Sequence, residues 1–169
     1  TTKYDETAAI SPGDVSDPDN WVVGWYNNET GAYSPTYNGT LENERAAVKS
    51  LVKVDSQNIY GFTIMNNDEY GLRVIIREYD SNGKFIRSWG GLGSGEHYTP
   101  TDSNVKYVSV TIYGNVANTI DLVKNSTIYV IMQVTGENVK YDWDLTADNF
   151  TVNSGSTLKP AANTNSFFS

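Results

Sequence analysis

Tryptophan and tyrosine side chains occur where the chain is rich in glycine, asparagine and proline, which are turn-forming residues. Trp25 and Tyr26 stand in WVVGWYNNETG, Tyr37 follows in SPTYNGT, and Trp89 precedes GGLGSGE. A ring in a turn is hard to bury completely, so Trp25 and Trp89 are expected to face solvent. Exposed rings stack on the C–H faces of sugars. We therefore predict that Trp25 and Trp89 form one stacking platform, with Tyr26 and Tyr37 as lateral contacts.

Two further positions were weighed for the same sugar-binding site, and only the second of them is a candidate contact. Trp21 precedes two valines and is predicted to lie in the core rather than at the surface. Gln133 interrupts the apolar run YVIMQV on the strand face that carries Tyr129 and Ile131. Gln133 is therefore a candidate polar contact for a sugar, and a buried, hydrogen-bonded glutamine is an equal alternative.

An acidic loop near the start of the chain is a candidate metal site. The sequence GDVSDPDN places Asp14, Asp17 and Asp19 within six positions. Calcium prefers carboxylate and carbonyl oxygens, although this spacing is not that of an EF-hand. The loop predicts a structural calcium ion that lies away from the sugar contacts. A solvated acidic loop without metal is the alternative.

Residues for catalysis are present without a recognisable arrangement. Asp142 and Asp144 flank a tryptophan, and Asp68 lies beside Glu69 in a turn, but such carboxylates are typical of a solvated surface. The single histidine is His97, and the sequence has no Gly-x-Ser-x-Gly motif whose serine this histidine could activate as a nucleophile. Cysteine is absent, which excludes catalytic thiols and cysteine metal sites. The sequence predicts a protein that is not an enzyme.

The elements that must position these residues are strands. Val48, Val52 and Val54 alternate with charged residues, which is the period of a half-buried strand. The clearest element is a β-hairpin, because two alternating runs flank the turn sequence 80–83, DSNG. No segment shows an apolar stripe with helical spacing. Further strands are predicted at IYGFTIMN, YVSVTIY, STIYVIMQV and DNFTV. The fold class predicted is all-β, a two-sheet antiparallel β-sandwich.

Length and charge set limits on the organisation and the partners. A chain of 169 residues predicts one main domain, which we assign to residues 21–152, after an N-terminal arm or loop (1–20) and before a C-terminal tail or linker (153–169). The net charge of −8 disfavours nucleic acid and poses no obstacle to a neutral polysaccharide. No apolar run is long enough for a membrane span. The start TTKYDE indicates an excised module or a mature secreted product, so an extracellular location is expected.

Several short motifs resemble those of a known family. They are Trp21-x-x-Gly24, Thr30-Gly31, Arg45, the segment Tyr79 to Ile86, Tyr98-Thr99-Pro100 and the segment Lys106 to Val110. Together, over about residues 20 to 135, they resemble the galactose-binding-like β-sandwich carbohydrate-binding modules of extracellular Firmicutes proteins, including xyloglucan and β-glucan binders attached to cellulases. The resemblance implies a jelly roll without catalysis and a glycan site on solvent-facing tryptophans.

The predicted function follows from these observations. It is a non-catalytic module that targets an appended glycoside hydrolase to a neutral plant-wall β-glucan, either xyloglucan or mixed-linkage glucan. A structural or adhesion domain of a bacterial cell-surface or phage protein is the alternative, since aromatic side chains also pack or contact protein partners. A glycan-cleaving enzyme is disfavoured by size and by the lack of a catalytic constellation.

Overall fold

The computed structural model describes residues 12–36, 45–93 and 96–136. The chain divides into two compact units. The first comprises Thr1–Ser56 and Tyr60–Gln133, and the second comprises Gln57–Ile59 and Val134–Ser169. In the second unit the described residues are 57–59 and 134–136. The architecture and the candidate site described below belong to the first unit.

Short strands dominate the described residues. They are β1 (Trp21–Val23), β2 (Trp25–Tyr26), β3 (Tyr33–Ser34), β4 (Ala46–Val48), β5 (Val52–Lys53), β6 (Asn58–Met65), β7 (Arg73–Tyr79), β8 (Phe85–Leu92), β9 (His97–Tyr98), β10 (Tyr107–Tyr113) and β11 (Tyr129–Gly136). One helix, α1 (Thr119–Lys124), and a 3₁₀ turn (Pro18–Asn20) accompany them. Within this described part, no helix has the length and apolarity to cross a membrane. The predicted strand at DNFTV lies outside the described residues.

The larger sheet has six strands in the order β1-β4-β10-β7-β8, with β5 also paired to β10. In the antiparallel pair of β10 and β7, Val108 lies opposite Glu78 and Val110 lies opposite Ile76. Opposed residues project to the same side of a sheet, so these four side chains share one side, which we call the core side. Residues at alternating positions, such as Tyr113, project to the opposite side, which we call the hairpin side.

The smaller sheet has three strands in the order β11-β6-β9. Its Tyr60, Phe62 and Val130 are buried in one apolar cluster with Ile76 and Val110 from the core side of the larger sheet. The two sheets thus share a core, as alternating valine, isoleucine and aromatic residues dictate. The prediction of an all-β, sandwich-like antiparallel fold is confirmed.

The hairpin of β2 and β3 covers the other side of the larger sheet. Arg77 Nε donates a hydrogen bond to the Tyr26 carbonyl at 3.1 Å, and the Tyr79 hydroxyl donates to the Gly31 carbonyl at 2.6 Å. Gly31 has a φ of +71°, and a Cβ there would lie 2.3 Å from the Phe85 ring. Only glycine fits this close approach. The central strands are therefore buried on both sides, and not on one side alone as in a simple two-layer sandwich.

The β7–β8 hairpin confirms the clearest local prediction. Its turn is closed by Asp80, whose Oδ1 accepts from the amides of Asn82 at 2.8 Å and Lys84 at 3.0 Å. Gly83 adopts a φ of +78°, as the Asn-Gly signal indicates. The pairing of β7 with β8 shifts in register between Ile76 and Arg77 of β7. This shift marks a β-bulge in β8, which is an edge strand of the larger sheet.

The acidic loop changes the expected strand pattern after it. The predicted strand from Val48 to Val54 is two strands, β4 and β5, because the Asn20 side chain bonds to the backbone between them. Its Oδ1 accepts from the Ser50 amide at 2.8 Å, and its Nδ2 donates to the Ser50 carbonyl at 3.3 Å. Val15 is buried in the core, so within the predicted N-terminal arm or loop this part is a loop packed on the domain.

Candidate functional site

Trp25 is half-buried on the hairpin side of the larger sheet. It lies on β2 opposite Ser34 of β3. The Arg45 guanidinium carbon lies 5.8 Å from the centroid of the Trp25 ring and 4.9 Å from that of the Tyr113 ring. Both distances are within the range of cation–π attraction. Part of the Trp25 surface is thus taken up by an arginine of the same chain.

Trp89 is half-buried and packs against the core. Its ring meets Tyr98 edge-on, with the centroids 5.0 Å apart and the planes at 86°. The Tyr98 hydroxyl donates to Glu78, which projects from the core side of the larger sheet. Since Trp25 shares its cation with Tyr113 on the hairpin side, the two tryptophans lie against opposite sides of this sheet. The prediction that they form one platform is therefore corrected.

Tyr26 is in the core and does not reach a ligand. Its hydroxyl donates to the Val48 carbonyl at 2.6 Å. Burial, followed by the nearby Tyr79 and Tyr33 hydroxyls, raises the pKa of Tyr26 well above its usual range. The prediction of a lateral sugar contact at Tyr26 is corrected for this reason. Tyr37 lies outside the described residues. Trp21, by contrast, is fully buried as predicted, and its Nε1 donates to the Val15 carbonyl at 2.8 Å.

Gln133 lies at the surface, so the alternative of a buried glutamine is wrong, while its contact with a sugar stays a prediction. It alternates along β11 with the buried Val130 and the partly buried Met132, and shares its side of the strand with Tyr129 and Ile131, which are 47% and 40% exposed. The same side of the smaller sheet carries Thr63 of β6, whose hydroxyl lies 3.0 Å from Gln133 Oε1. These side chains project away from the core that β6 and β11 form with the larger sheet.

We call this surface the exposed sheet face. It consists of Thr63 and Met65 of β6, His97 of β9, and Tyr129, Ile131 and Gln133 of β11, all of which are exposed. An aromatic ring and two aliphatic side chains lie on it together with a hydroxyl, an amide and an imidazole. Solvent-exposed groups of this size on one strand face are unusual in a surface without a partner. The face therefore offers stacking and hydrogen bonding to one ligand.

Gly61 of β6 is buried beneath this face. It lies on the middle strand, between Gln133 on one neighbouring strand and His97 on the other. A Cβ at position 61 would lie 3.4 Å from Gln133 Oε1 and 3.5 Å from His97 Cδ2. The Gln133 and His97 side chains therefore cover Gly61 and leave space there for about one methyl group.

A second polar cluster is centred on the buried Glu78 and holds the core side together. Glu78 accepts from Arg87 Nη1 at 2.9 Å, from the Tyr98 hydroxyl at 2.6 Å, and from the amide and hydroxyl of Thr101 at 3.0 and 2.7 Å. Burial first, and then Glu78, raise the pKa of Tyr98 well above its usual range. With four donors on its two oxygens, this carboxylate ties β7 to β8 and to the segment after β9.

The acidic loop uses its own carboxylates in turns. Asp14 Oδ1 accepts from the amide and hydroxyl of Ser16, both at 2.9 Å. Asp17 Oδ1 accepts from the Asp19 amide at 2.9 Å and caps the 3₁₀ turn. Among residues 12–36, 45–93 and 96–136, no three acidic or histidine side chains are grouped as metal ligands. A calcium ion held by Asp14, Asp17 and Asp19 stays a prediction, which a calcium titration followed by Tm would test.

Comparison with protein-family models, with curated proteins and with solved structures gives no match to this chain. Function is therefore inferred from the geometry of the exposed sheet face, from charge and from the sequence motifs.

Sequence reasoning found only part of this site. Gln133 was singled out because it breaks an apolar run, and Tyr129 and Ile131 were recognised as its neighbours on one strand face. The contribution of β6 and β9 was missed, because local sequence patterns predict strands but do not show which strands are neighbours in a sheet. The available signal was the alternation in FTIM, where the exposed Thr63 and Met65 alternate with Phe62 and Ile64, which face the core.

Proposed function

We propose that this chain is a non-catalytic carbohydrate-binding module and that the exposed sheet face is its binding site. The single observation that supports this most is that Tyr129 and Gln133 are both exposed on one side of β11, with Thr63 of β6 and His97 of β9 on the same face of the sheet. A pyranose ring has apolar C–H faces and a polar rim, so an aromatic side chain together with polar side chains suits its binding. Tyr129 supplies the stacking ring, and the polar side chains bond to hydroxyls.

The ligand class proposed is a neutral plant-wall β-glucan. A net charge of −8 repels polyanions such as pectate and has no effect on an uncharged chain. A face built on strands suits a long polysaccharide, since a sheet surface is open at both ends. By the resemblance noted above, the biological role would be to hold an appended glycoside hydrolase near its substrate, which raises the effective concentration of the enzyme there.

Native gel electrophoresis in the presence of xyloglucan or mixed-linkage glucan tests the proposal. The wild-type protein should migrate more slowly, and Tyr129→Ala should weaken binding about tenfold, since one stacking contact contributes on the order of 1 kcal/mol. Tyr33→Ala is the matched control, because Tyr33 is an exposed tyrosine at 44% and lies on β3 instead. Trp25→Ala should also bind normally.

Three results would contradict the proposal. The first is a wild-type protein that no neutral glucan retards, which would favour the adhesion-domain alternative. The second is a folded Tyr129→Ala variant that binds as tightly as the wild type. The third is loss of binding in Trp25→Ala with Tyr129→Ala unaffected, which would place the site on the hairpin side of the larger sheet.

A further inference from the structure

An open cleft lies between two turns at one end of the larger sheet. Its volume is about 390 Å³, near the lower end of the range of about 300 to 1,000 Å³ that is typical of sites for small molecules. One wall is the turn of the β7–β8 hairpin, and the other is the loop that leads into β10. The cleft is lined by Asp80, Ser81, Ile86, Ser103, Asn104 and Lys106. None of these residues belongs to the exposed sheet face.

Hydrogen bonds hold both walls of the cleft in place. The turn is closed by Asp80, as described above. In the loop, Asp102 Oδ2 accepts from Arg87 Nη2 of β8 at 3.1 Å. The Lys106 amide donates to the Tyr79 carbonyl at 3.0 Å, which ties the loop to the end of β7. The cleft is therefore formed in the free protein, and a ligand does not have to order its walls.

The polar side chains of the cleft keep groups available for a ligand. Asp80 uses Oδ1 in the turn, while its Oδ2 accepts no hydrogen bond from the described part of the chain. Within residues 12–36, 45–93 and 96–136, the Lys106 ammonium forms no ion pair. The Ser81 and Ser103 hydroxyls and the Asn104 side-chain amide have no hydrogen-bond partner among those same residues. The cleft thus offers one acceptor, one donor and three groups that do both.

This set of groups suits one neutral sugar unit. A sugar hydroxyl both donates and accepts, so it can pair with each of these five groups. The opposite charges of Asp80 and Lys106 balance, so the cleft does not select an ion of either sign. Ile86 provides an apolar wall for C–H groups. No aromatic ring is among the described residues that line the cleft, so binding there relies on hydrogen bonds rather than on stacking.

We propose that this cleft is a second carbohydrate site, which binds one neutral monosaccharide unit such as the terminal sugar of a chain or branch. It goes beyond the proposed function, in which a polysaccharide lies along the exposed sheet face. The two sites share no residue, so each can be removed without the other.

Titration of the isotope-labelled full chain with methyl glycosides, followed by proton–nitrogen correlation NMR, tests the second site. The probes are methyl β-glucoside, methyl β-galactoside and methyl β-xyloside. At least one of them should shift the amide signals of Ser81, Ser103 and Asn104 until the shifts saturate. Tyr129→Ala, which alters the exposed sheet face, should leave these shifts unchanged.

Two substitutions remove one free group each. Asp80→Asn keeps an oxygen for the turn and replaces the free acceptor with a donor, and asparagine is also favoured in turns. Lys106→Met removes the ammonium and keeps an unbranched side chain. Each should weaken glycoside binding about tenfold, as expected for the loss of a hydrogen bond to a charged group, and should leave glucan retardation unchanged. Lys84→Met, an exposed lysine of the same hairpin that does not line the cleft, is the matched control and should bind as the wild type does.

The outcomes separate this site from the proposed function. If no glucan retards the wild-type protein but a glycoside shifts the cleft amides, the sheet-face function fails and the second site stands. The second site is overturned if none of the three glycosides gives saturable shifts, or if Tyr129→Ala abolishes them. Glycine shifting the same amides when the glycosides do not would also overturn it, because the cleft would then bind a zwitterion. So would normal glycoside binding by folded Lys106→Met, which serves as the test even if Asp80→Asn fails to fold.

Discussion

Replacement of Glu78 by glutamine should destabilise the fold strongly, although the two side chains have the same shape. Each carboxylate oxygen accepts from a donor that cannot act as an acceptor: Oε1 from Arg87 Nη1 and Oε2 from the Thr101 amide. A glutamine has only one oxygen. In either orientation its amide nitrogen, at a fully buried position, therefore faces one of these part-buried donors, and the buried nitrogen meets a donor instead of an acceptor.

The size of the effect follows from the burial of Glu78, which is fully inaccessible to solvent. One unsatisfied buried donor costs about 1 to 3 kcal/mol, and the lost charge-assisted bonds add to this, so we expect Glu78→Gln to cost about 3 kcal/mol. For a domain of this size, 1 kcal/mol shifts Tm by about 2 to 4 °C. The expected fall in Tm is therefore about 6 to 12 °C.

Thermal unfolding followed by circular dichroism measures this change, with Asp102→Asn as the matched control. Asp102 accepts from the same arginine, Arg87, at 3.1 Å, but its side chain is 41% exposed. The asparagine also keeps the oxygen that accepts from the Asn104 amide at 2.9 Å. The control should keep its Tm within about 2 °C. A Glu78→Gln variant as stable as this control would refute the reasoning that the carboxylate is indispensable.

Three further predictions concern packing and titration. Gly31→Ala should lower the free energy of unfolding by about 2 kcal/mol or more, because its Cβ would overlap Phe85. Gly71→Ala is also at positive φ but has nothing within 4 Å, so it should lower this free energy by only about 1 kcal/mol. Equal losses in urea unfolding would contradict the steric argument. Burial raises the pKa of Tyr79 to about 12 from an ordinary 10. The stability that the neutral hydroxyl contributes is therefore complete below pH 10 and is lost as the pH rises towards 12. In alkaline denaturation, Tyr79→Phe should lose stability less steeply over that range than the wild type. Trp89→Ala should lower stability by roughly 2 kcal/mol, since the ring packs on the core, and an unchanged Tm would show that Trp89 is a surface ring after all.

The elements of the fold were largely readable from the sequence because strand periodicity is a local property. The turn at 80–83 and the alternation of β10 need no knowledge of the rest of the chain. The break between β4 and β5 was not readable, since it depends on Asn20, a residue 30 positions away from Ser50, its partner. Helix α1 was missed because six residues are too few to show a helical stripe.

The candidate site was harder to predict, because exposure depends on which face a neighbouring element covers. Tyr26 and Trp25 are adjacent in a turn-rich segment and looked equivalent. In the structure Tyr26 is buried, because the β2–β3 hairpin packs it onto the larger sheet, while Trp25 is half-buried. No local signal shows that this hairpin folds back over β7 and β10.

The central place of β10 in the larger sheet has a consequence for how the chain acquires its structure. β10 lies between β4 and β7 and also pairs with β5, yet it is made after all three. During synthesis the β7–β8 hairpin can form from local contacts and β4 can pair with β1, but the second partner of β4 is far along the chain. Pairing of this kind is slow because a long loop must close first. Until β10 leaves the ribosome, the first half of the sheet has an open edge, and this interval is when a nascent chain is most exposed to aggregation and to chaperones.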